Sequence, residues 1–528
     1  MVVVASRNRL GGLVMEGATF LRLPPLDTSA GAELLTRTVG DPRVSRDPSA
    51  AARLVDLCGG YPLALSIASG ILTTRSHWDI ARLVQNLTDE PRRLTNMTLE
   101  KDLSLTAVFD DSYRQLDADT ARAYRLLGLI PGPDFTAALA AVVLNHTEPD
   151  AEELLEALVE ASLLETRDGQ RYRFHDVLRA HAQQRAEQEE ESTVRDSVLD
   201  RVLGHYLKLA AIIYRTVMPR EWRAGPIYEH LSNGPAPYSG TAEALDALEP
   251  ELLTIMASLH DGLQGHRDDL VWQVAEALWP LFLYRQHFAH WVQTYQWGVE
   301  AATRCGHQVA LSRMHRQLGM AYHNQGQNEE AIKQGTLALA AATVAGHGQA
   351  ESSARSLIGL SYRDAGRIAD AVALFRDAIA SDHEAERRRS EALNWRRLGQ
   401  AQILAGDLAE AIASLRHAQA QAIALGEPIV EAMTTVHLVD ALSRDGQYDK
   451  AADLLMRVSA TIENEGSAQY SGVLLWVRGE HALRVGEPDL ARSYLAQAHL
   501  LFDSHGIRRH ANRVAATLAL IDPPPENP

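Results

Sequence analysis

Few residues of this chain stand in a pattern that chemistry could use. Arg7 follows an apolar run, Met1-Val2-Val3-Val4-Ala5 and then Ser6, that reads as a buried strand. An arginine at the carboxyl end of such a strand is placed to reach a bound phosphate. Gly60 and Pro62 lie in Cys58-Gly59-Gly60-Tyr61-Pro62, where the glycines end one helix and the proline opens the next. His175, in Phe174-His175-Asp176, stands where a hairpin passes into a helix, and by itself reads as a capping or core histidine. No His-Glu-x-x-His, Gly-x-Ser-x-Gly, Cys-x-x-Cys or Gly-x-Gly-x-x-Gly pattern occurs, and His383-Glu384-Ala385-Glu386-Arg387 lacks the second histidine of a zinc protease. The 21 histidines are dispersed, and Cys58 and Cys305 are the only cysteines, which excludes a disulfide framework or a four-cysteine zinc site. We therefore expect no catalytic residues, no metal and no enzyme.

The elements that would position these residues are mostly helical. A helix is expected from about Ser29 to Leu57, and the Asp168-Gly169 pair marks a hairpin over Leu164–Phe174. With helices before and after it, the hairpin makes a winged-helix-like unit. That unit, residues 98–186, holds 16 acidic and 9 basic side chains, the wrong sign for tracking a nucleic-acid backbone. The acidic stretch Arg185–Asp200 and the turn formers Asn233-Gly234-Pro235-Ala236-Pro237 separate it from the C-terminal half.

A repeat of 40 residues fills that half. Leu318-Gly319, Gly326 and Ala331 recur as Ile358-Gly359, Gly366 and Ala371, then as Leu398-Gly399, Gly406 and Ala411. The register continues through Val439, Gly446 and Ala451 to Gly479, Gly486 and Ala491. Seven positions after each alanine comes Ala338, Ala378, Ala418, Val458 or Ala498. Small residues on both helices of a pair permit close crossing, and a glycine punctuates the turn between them. The pattern resembles the tetratricopeptide repeat, whose period is about 34, so the extra residues must lengthen the helices or their links. Trp279 and Trp291 fall in the same register with glycine lost, as a divergent capping unit. The first helix of each pair lines the concave surface of such a solenoid, where ligands lie; Arg316, His323, Arg363, Arg396 and Trp476 are the candidates facing it.

Taken in order, the features resemble the NB-ARC module of signal-transducing ATPases with numerous domains, and specifically AfsR-like (SARP-type) regulators that end in tetratricopeptide repeats. The resemblance implies that Ser6-Arg7 is a sensor arginine near the terminal phosphate. It likewise implies that Gly60-Tyr61-Pro62-Leu63 is the motif whose proline packs near adenine, and that His175 of Phe174-His175-Asp176 contacts the ADP β-phosphate. The departure is the absence of any Gly-x-x-x-x-Gly-Lys-[Ser/Thr] loop and of the acidic strand end that holds magnesium. On this reading the protein is a truncated family member lacking the P-loop and DNA-binding regions, and ADP or ATP binding is weak or lost.

The expected fold is mainly α: a partial NB-ARC with helical ARC part (1–97), a winged-helix-like subdomain (98–186), a linker and helical connector (187–247), a tetratricopeptide-type solenoid (248–515) and a disordered tail (516–528). The expected function is a regulatory adaptor that binds a protein partner through its repeats. The alternative is an ADP-binding switch subunit completed by homo-oligomerisation or by a separate P-loop polypeptide. The formal net charge of -17 repels phosphate backbones, so direct DNA binding is not expected. Arg7 and Arg9 interrupt the apolar start before a signal sequence forms, and no apolar stretch reaches membrane-spanning length, which points to the cytoplasm and away from a membrane.

Overall fold

The computed structural model describes residues 25–39, 42–75, 77–88, 98–100, 103–104, 109–110, 112–231, 237–465 and 467–521. Arg7 and the apolar run before it lie outside these residues, as does most of the turn-rich stretch at 233–237. The chain divides into two compact units, Met1–His205 with Leu253–Asp261, and Tyr206–Leu252 with Gly262–Pro528. Within the connector expected at 187–247, one helix, Ser192–Val217, runs across the division. Among the described residues no helix is long and apolar enough to cross a membrane.

In the first unit, the helix expected from Ser29 to Leu57 is three helices, Thr28–Val39, Arg43–Arg46 and Pro48–Leu57. Asp47-Pro48 is the reason for the last break: the proline cannot continue a preceding helix, and the Asp47 carboxylate caps the new one by accepting from Ala50 N at 2.9 Å. The chain then turns at Gly59 and Gly60 and enters the helix Pro62–Thr74, with proline at its first position.

The winged-helix segment follows expectation. Asp117 caps the helix Ala118–Leu127 by accepting from Asp119 N and Thr120 N, and the helices Ala137–Leu144 and Glu148–Glu160 come next. Strands Glu165–Arg167 and Arg171–Arg173 pair antiparallel, and Phe135–Thr136 joins the far side of the second. Asp168 and Gly169 both have positive φ, 53° and 72°, in the three-residue loop Asp168-Gly169-Gln170 between the paired Arg167 and Arg171. Behind the sheet, the buried Tyr124 hydroxyl donates to Leu178 O and meets His181 Nδ1, each at 2.9 Å.

The second unit is a stack of helix pairs. Each helix from Gln308 to Ser504 is 17 or 18 residues long and the links are short, so the residues beyond the usual repeat length went into the helices. The small residues pack as their spacing requires. A Cβ on Gly399 would stand 2.6 Å from Leu415 Cγ and 3.3 Å from Ala411 O, and Gly479 meets Leu495 and Ala491 in the same way. In the capping unit the indoles of Trp279 and Trp291 occupy these glycine and alanine positions, edge to face with centroids 5.6 Å apart. The expected disordered tail is corrected in part: the last helix runs Arg508–Ile521, so 516–521 belong to it. Its first residues pack on the preceding pair, with His510 against Phe502.

A buried ionic cluster ties the connector to the solenoid. Arg313 is 1% exposed and lies 3.3 Å from Glu276 and 3.4 Å from Glu221, with the Tyr214 hydroxyl beside it and the Trp222 ring 4.7 Å from its guanidinium. Glu276 also accepts from the backbone of Ala224 and Gly225, at 2.7 and 2.8 Å. Burial pushes the Glu276 carboxyl above its ordinary value. Burial acts the same way on Glu221, but the nearby Arg313, Arg316 and Arg389 outweigh it and hold that carboxyl low.

Candidate functional site

Two places collect the residues singled out from sequence. The first, in the N-terminal unit, sets the Gly59–Tyr61 turn, of which Gly60 is part and which Pro62 follows, against His175 across more than a hundred residues of chain. Gly60 has φ +67° and leaves no room for a side chain, because a Cβ there would stand 2.3 Å from Leu26 O; its carbonyl accepts from Leu26 N at 2.9 Å. The adjoining Tyr61 ring meets the His175 imidazole edge to face at 5.1 Å. A Cβ on Gly59 would stand 3.0 Å from His175 Nδ1, so the glycine turn and the imidazole are in close approach.

His175 stands at the N-cap position of the helix Asp176–Glu189 but makes no side-chain cap bond. Its Nε2 instead lies 2.6 Å from Glu165 Oε1 on the neighbouring strand. That hydrogen bond, set against partial burial and helped by Arg173 at 2.9 Å, holds the Glu165 carboxyl down at about 2. Glu165 stands in no motif of the sequence; its only signal is its place on the hairpin expected to lead to His175.

The second place is a cavity of about 570 Å³ within the solenoid. Four of the five concave-face candidates, His323, Arg363, Arg396 and Trp476, line it. They do so because the first helices of successive pairs present the same face: Arg396 and Trp476 share one position of the 40-residue register, and His323 and Arg363 share another seven residues on. Arg316 shares the register of Arg396 but lines a neighbouring cavity of about 440 Å³. The two cavities have Arg397 as a common wall residue.

Burial separates these residues. His323 is 2% exposed and Arg363 9%, whereas Arg396 and Trp476 are partly buried. Arg363 pairs with Asp364 at 2.9 Å, and Asp364 also meets Arg509 and Arg513 from the last helix. The last helix lies beyond the final repeat, so its two arginines carry no register signal; only their spacing of four on one helix face marks them. Burial pushes His437 down to about 3, with Arg396 and Arg363 adding to the shift, and burial with Arg509 leading lowers His323 and His510 well below the ordinary range. The cavity's histidines are thus neutral at neutral pH, and its positive charge rests on arginines.

No group of three or more residues suited to hold a metal ion occurs among the described residues. Comparison with known proteins places both units. Residues 310–382 match the tetratricopeptide repeat family, and residues 131–194 match the MalT winged helix domain. Regulatory protein AfsR of Streptomyces griseus is 40% identical over 220 residues, which is 42% of this chain and 22% of that protein. AfsR of Streptomyces coelicolor is 39% identical over 221 residues, 41% of this chain and 22% of that protein. The match thus spans about a fifth of the length of these regulators. Among solved structures, a signal transduction ATPase with numerous domains and a tetratricopeptide repeat sensor, from Pyrococcus horikoshii, aligns over 96% of this chain and 74% of that one, at 13% identity and TM-score 0.35. The Rap protein complexed with competence and sporulation factor aligns over 66% of this chain and 91% of that one, at 14% identity and TM-score 0.43. The chain is mainly α and similar over about 220 residues to the AfsR regulators, with a segment that matches the MalT winged helix domain followed by tetratricopeptide repeats.

Proposed function

We propose that this protein is a regulatory adaptor that captures a protein partner on the inner face of its repeats. The observation that carries the reading is the convergence of Arg363, Arg396, His323 and Trp476 on one cavity wall through an unbroken repeat register. A solenoid repeats its binding face with its core, so partner contacts arise from the same positions that set the stack. Trp476, partly exposed on that wall, is the aromatic anchor, a residue type enriched where interfaces concentrate their energy. Affinity capture with the full chain, at a temperature where circular dichroism shows both chains folded, tests the reading: Trp476→Ala should lose a specific partner by about tenfold or more. Equal capture by both chains would reject it.

A second reading is favoured by the first site. The gathering of Gly60, Tyr61 and His175 supports an ADP-binding switch whose P-loop comes from another polypeptide. The Glu165–His175 pair supports the converse, an imidazole already occupied by a carboxylate within the unit. Calorimetric titration with ADP and ATP separates them. Micromolar binding that His175→Ala weakens by about tenfold would favour the switch, and absence of binding with the P-loop partner present would leave the adaptor alone.

A further inference from the structure

The cavity in the solenoid is built with more positive charge than the chain itself neutralises. Six guanidiniums line it, Arg363, Arg396, Arg397, Arg444, Arg509 and Arg513, against the two carboxylates of Asp440 and Glu480. Asp364, 1% exposed behind the wall, is shared by Arg363, Arg509 and Arg513. Arg444 has its own partner in Asp440, at 2.8 Å. Arg396 has no hydrogen-bond or ion-pair partner among the described residues, and its Nε is sealed from solvent. Arg397 hydrogen-bonds only neutral oxygens among them, Ser356 Oγ and Asn394 Oδ1, the latter at 3.0 Å.

This is an unusual arrangement in a protein with net charge -17. Buried charges are ordinarily paired, and an arginine keeps its proton rather than neutralise. The unpartnered polar atoms on the wall point the same way. Arg396 Nε, Arg509 Nε, Trp476 Nε1 and Asn324 Nδ2 are all N–H donors and all lack an acceptor. A ligand that met them would bring acceptors and negative charge. The rest of the wall is apolar, with Leu360, Ile403, Met433 and Val473 among its residues, and the volume is of the size that holds a small organic molecule.

We propose that the solenoid cavity binds a small organic anion, with a carboxylate or phosphate group received by Arg396 and Arg397 and an apolar body against the Leu360–Ile403–Met433–Val473 wall. Guanidinium forks suit both oxyanions, since each offers parallel acceptors to paired N–H donors. The occupant thus completes the charge balance of the inner face, and its arrival changes the surface that a partner would meet. The inference stands apart from partner capture, because it concerns a ligand within the wall and is read without any partner.

The test is fluorescence titration of the full chain with dansyl-glutamate and with 1-naphthyl phosphate, using neutral dansylamide as the control. One of the two anions should bind saturably and at least about tenfold more tightly than dansylamide, and the stronger arm tells carboxylate from phosphate. Arg396→Met should weaken that anion by about tenfold or more without lowering the melting temperature, because it removes an unpaired charge and keeps the stem's packing. Dansylamide binding as tightly as the anions, anion binding unchanged in R396M, or no saturable binding by either anion up to about 1 mM would each overturn the proposal. The preference of the unaltered chain for anion over dansylamide needs no variant, so the test stands even if R396M folds poorly.

Discussion

At the scale of single residues, what matters is whether a side chain can move out of the way. A Cβ at Gly60 would meet the Leu26 backbone oxygen at 2.3 Å, whereas a Cβ at Gly326 would meet nothing within 4 Å, although both residues have positive φ. Gly60→Ala should therefore cost more than about 2 kcal/mol, strain and clash together, and Gly326→Ala only about 1 kcal/mol; thermal unfolding of the two variants measures the difference. Glu165 makes a pH-dependent contribution. Its carboxyl lies at about 2 in the fold against an ordinary 4.5, so the stabilisation is complete above the ordinary value and is lost as pH falls towards the folded one. Glu165→Gln should lower stability by about 1–2 kcal/mol near neutral pH, allowing for solvent screening, and the gap to the unaltered chain should close between about pH 4 and about pH 2. Urea unfolding across that range reads it.

At the scale of elements, legibility tracks local spacing. The hairpin can be read because Asp168-Gly169 satisfies a backbone demand few other pairs meet, and the helix pairs can be read because their glycines and alanines recur every 40 residues. The break at Asp47-Pro48 does carry a local signal, an aspartate cap followed by proline, which a single helix drawn over 29–57 passes over. The Arg313 cluster leaves no trace, because a charged residue with helical spacing reads as a solvated face until a distant element covers it. Its partners, Glu221 and Glu276, lie 92 and 37 residues away in sequence. Arg313→Met removes the cation and leaves two buried carboxylates, and should destabilise the second unit by about 3–5 kcal/mol. Adding Glu276→Gln and Glu221→Gln should recover most of the loss, as a chemical denaturation series would show.

At the scale of the whole chain, the four candidates that meet in the cavity are foreseeable, because the repeat fixes which helix face turns inward. The arginines of the last helix and the shared Asp364 are not, since they depend on how the final helix closes the stack. A stack of like units exchanges contacts only between neighbours, so its ends open before its middle. Hydrogen exchange should find Arg508–Ile521 the first helix of the solenoid to lose protection and Gly348–Asp364 among the last. The reverse order would mean that the cavity, rather than the end, is the weak point.

The paired indoles of the capping unit make that behaviour visible. Trp279 and Trp291 are 2% and 0% exposed, and Phe282 stacks on the second with its ring centroid 6.1 Å away. Chromophores held so close and so dry couple their electronic transitions and emit to the blue, while Trp476 stands near the other end of the stack against the cavity. With the five other tryptophans of the chain replaced, the solenoid would carry one optical reporter towards each end, so that its fraying and its filling could be followed in the same spectrum without a label.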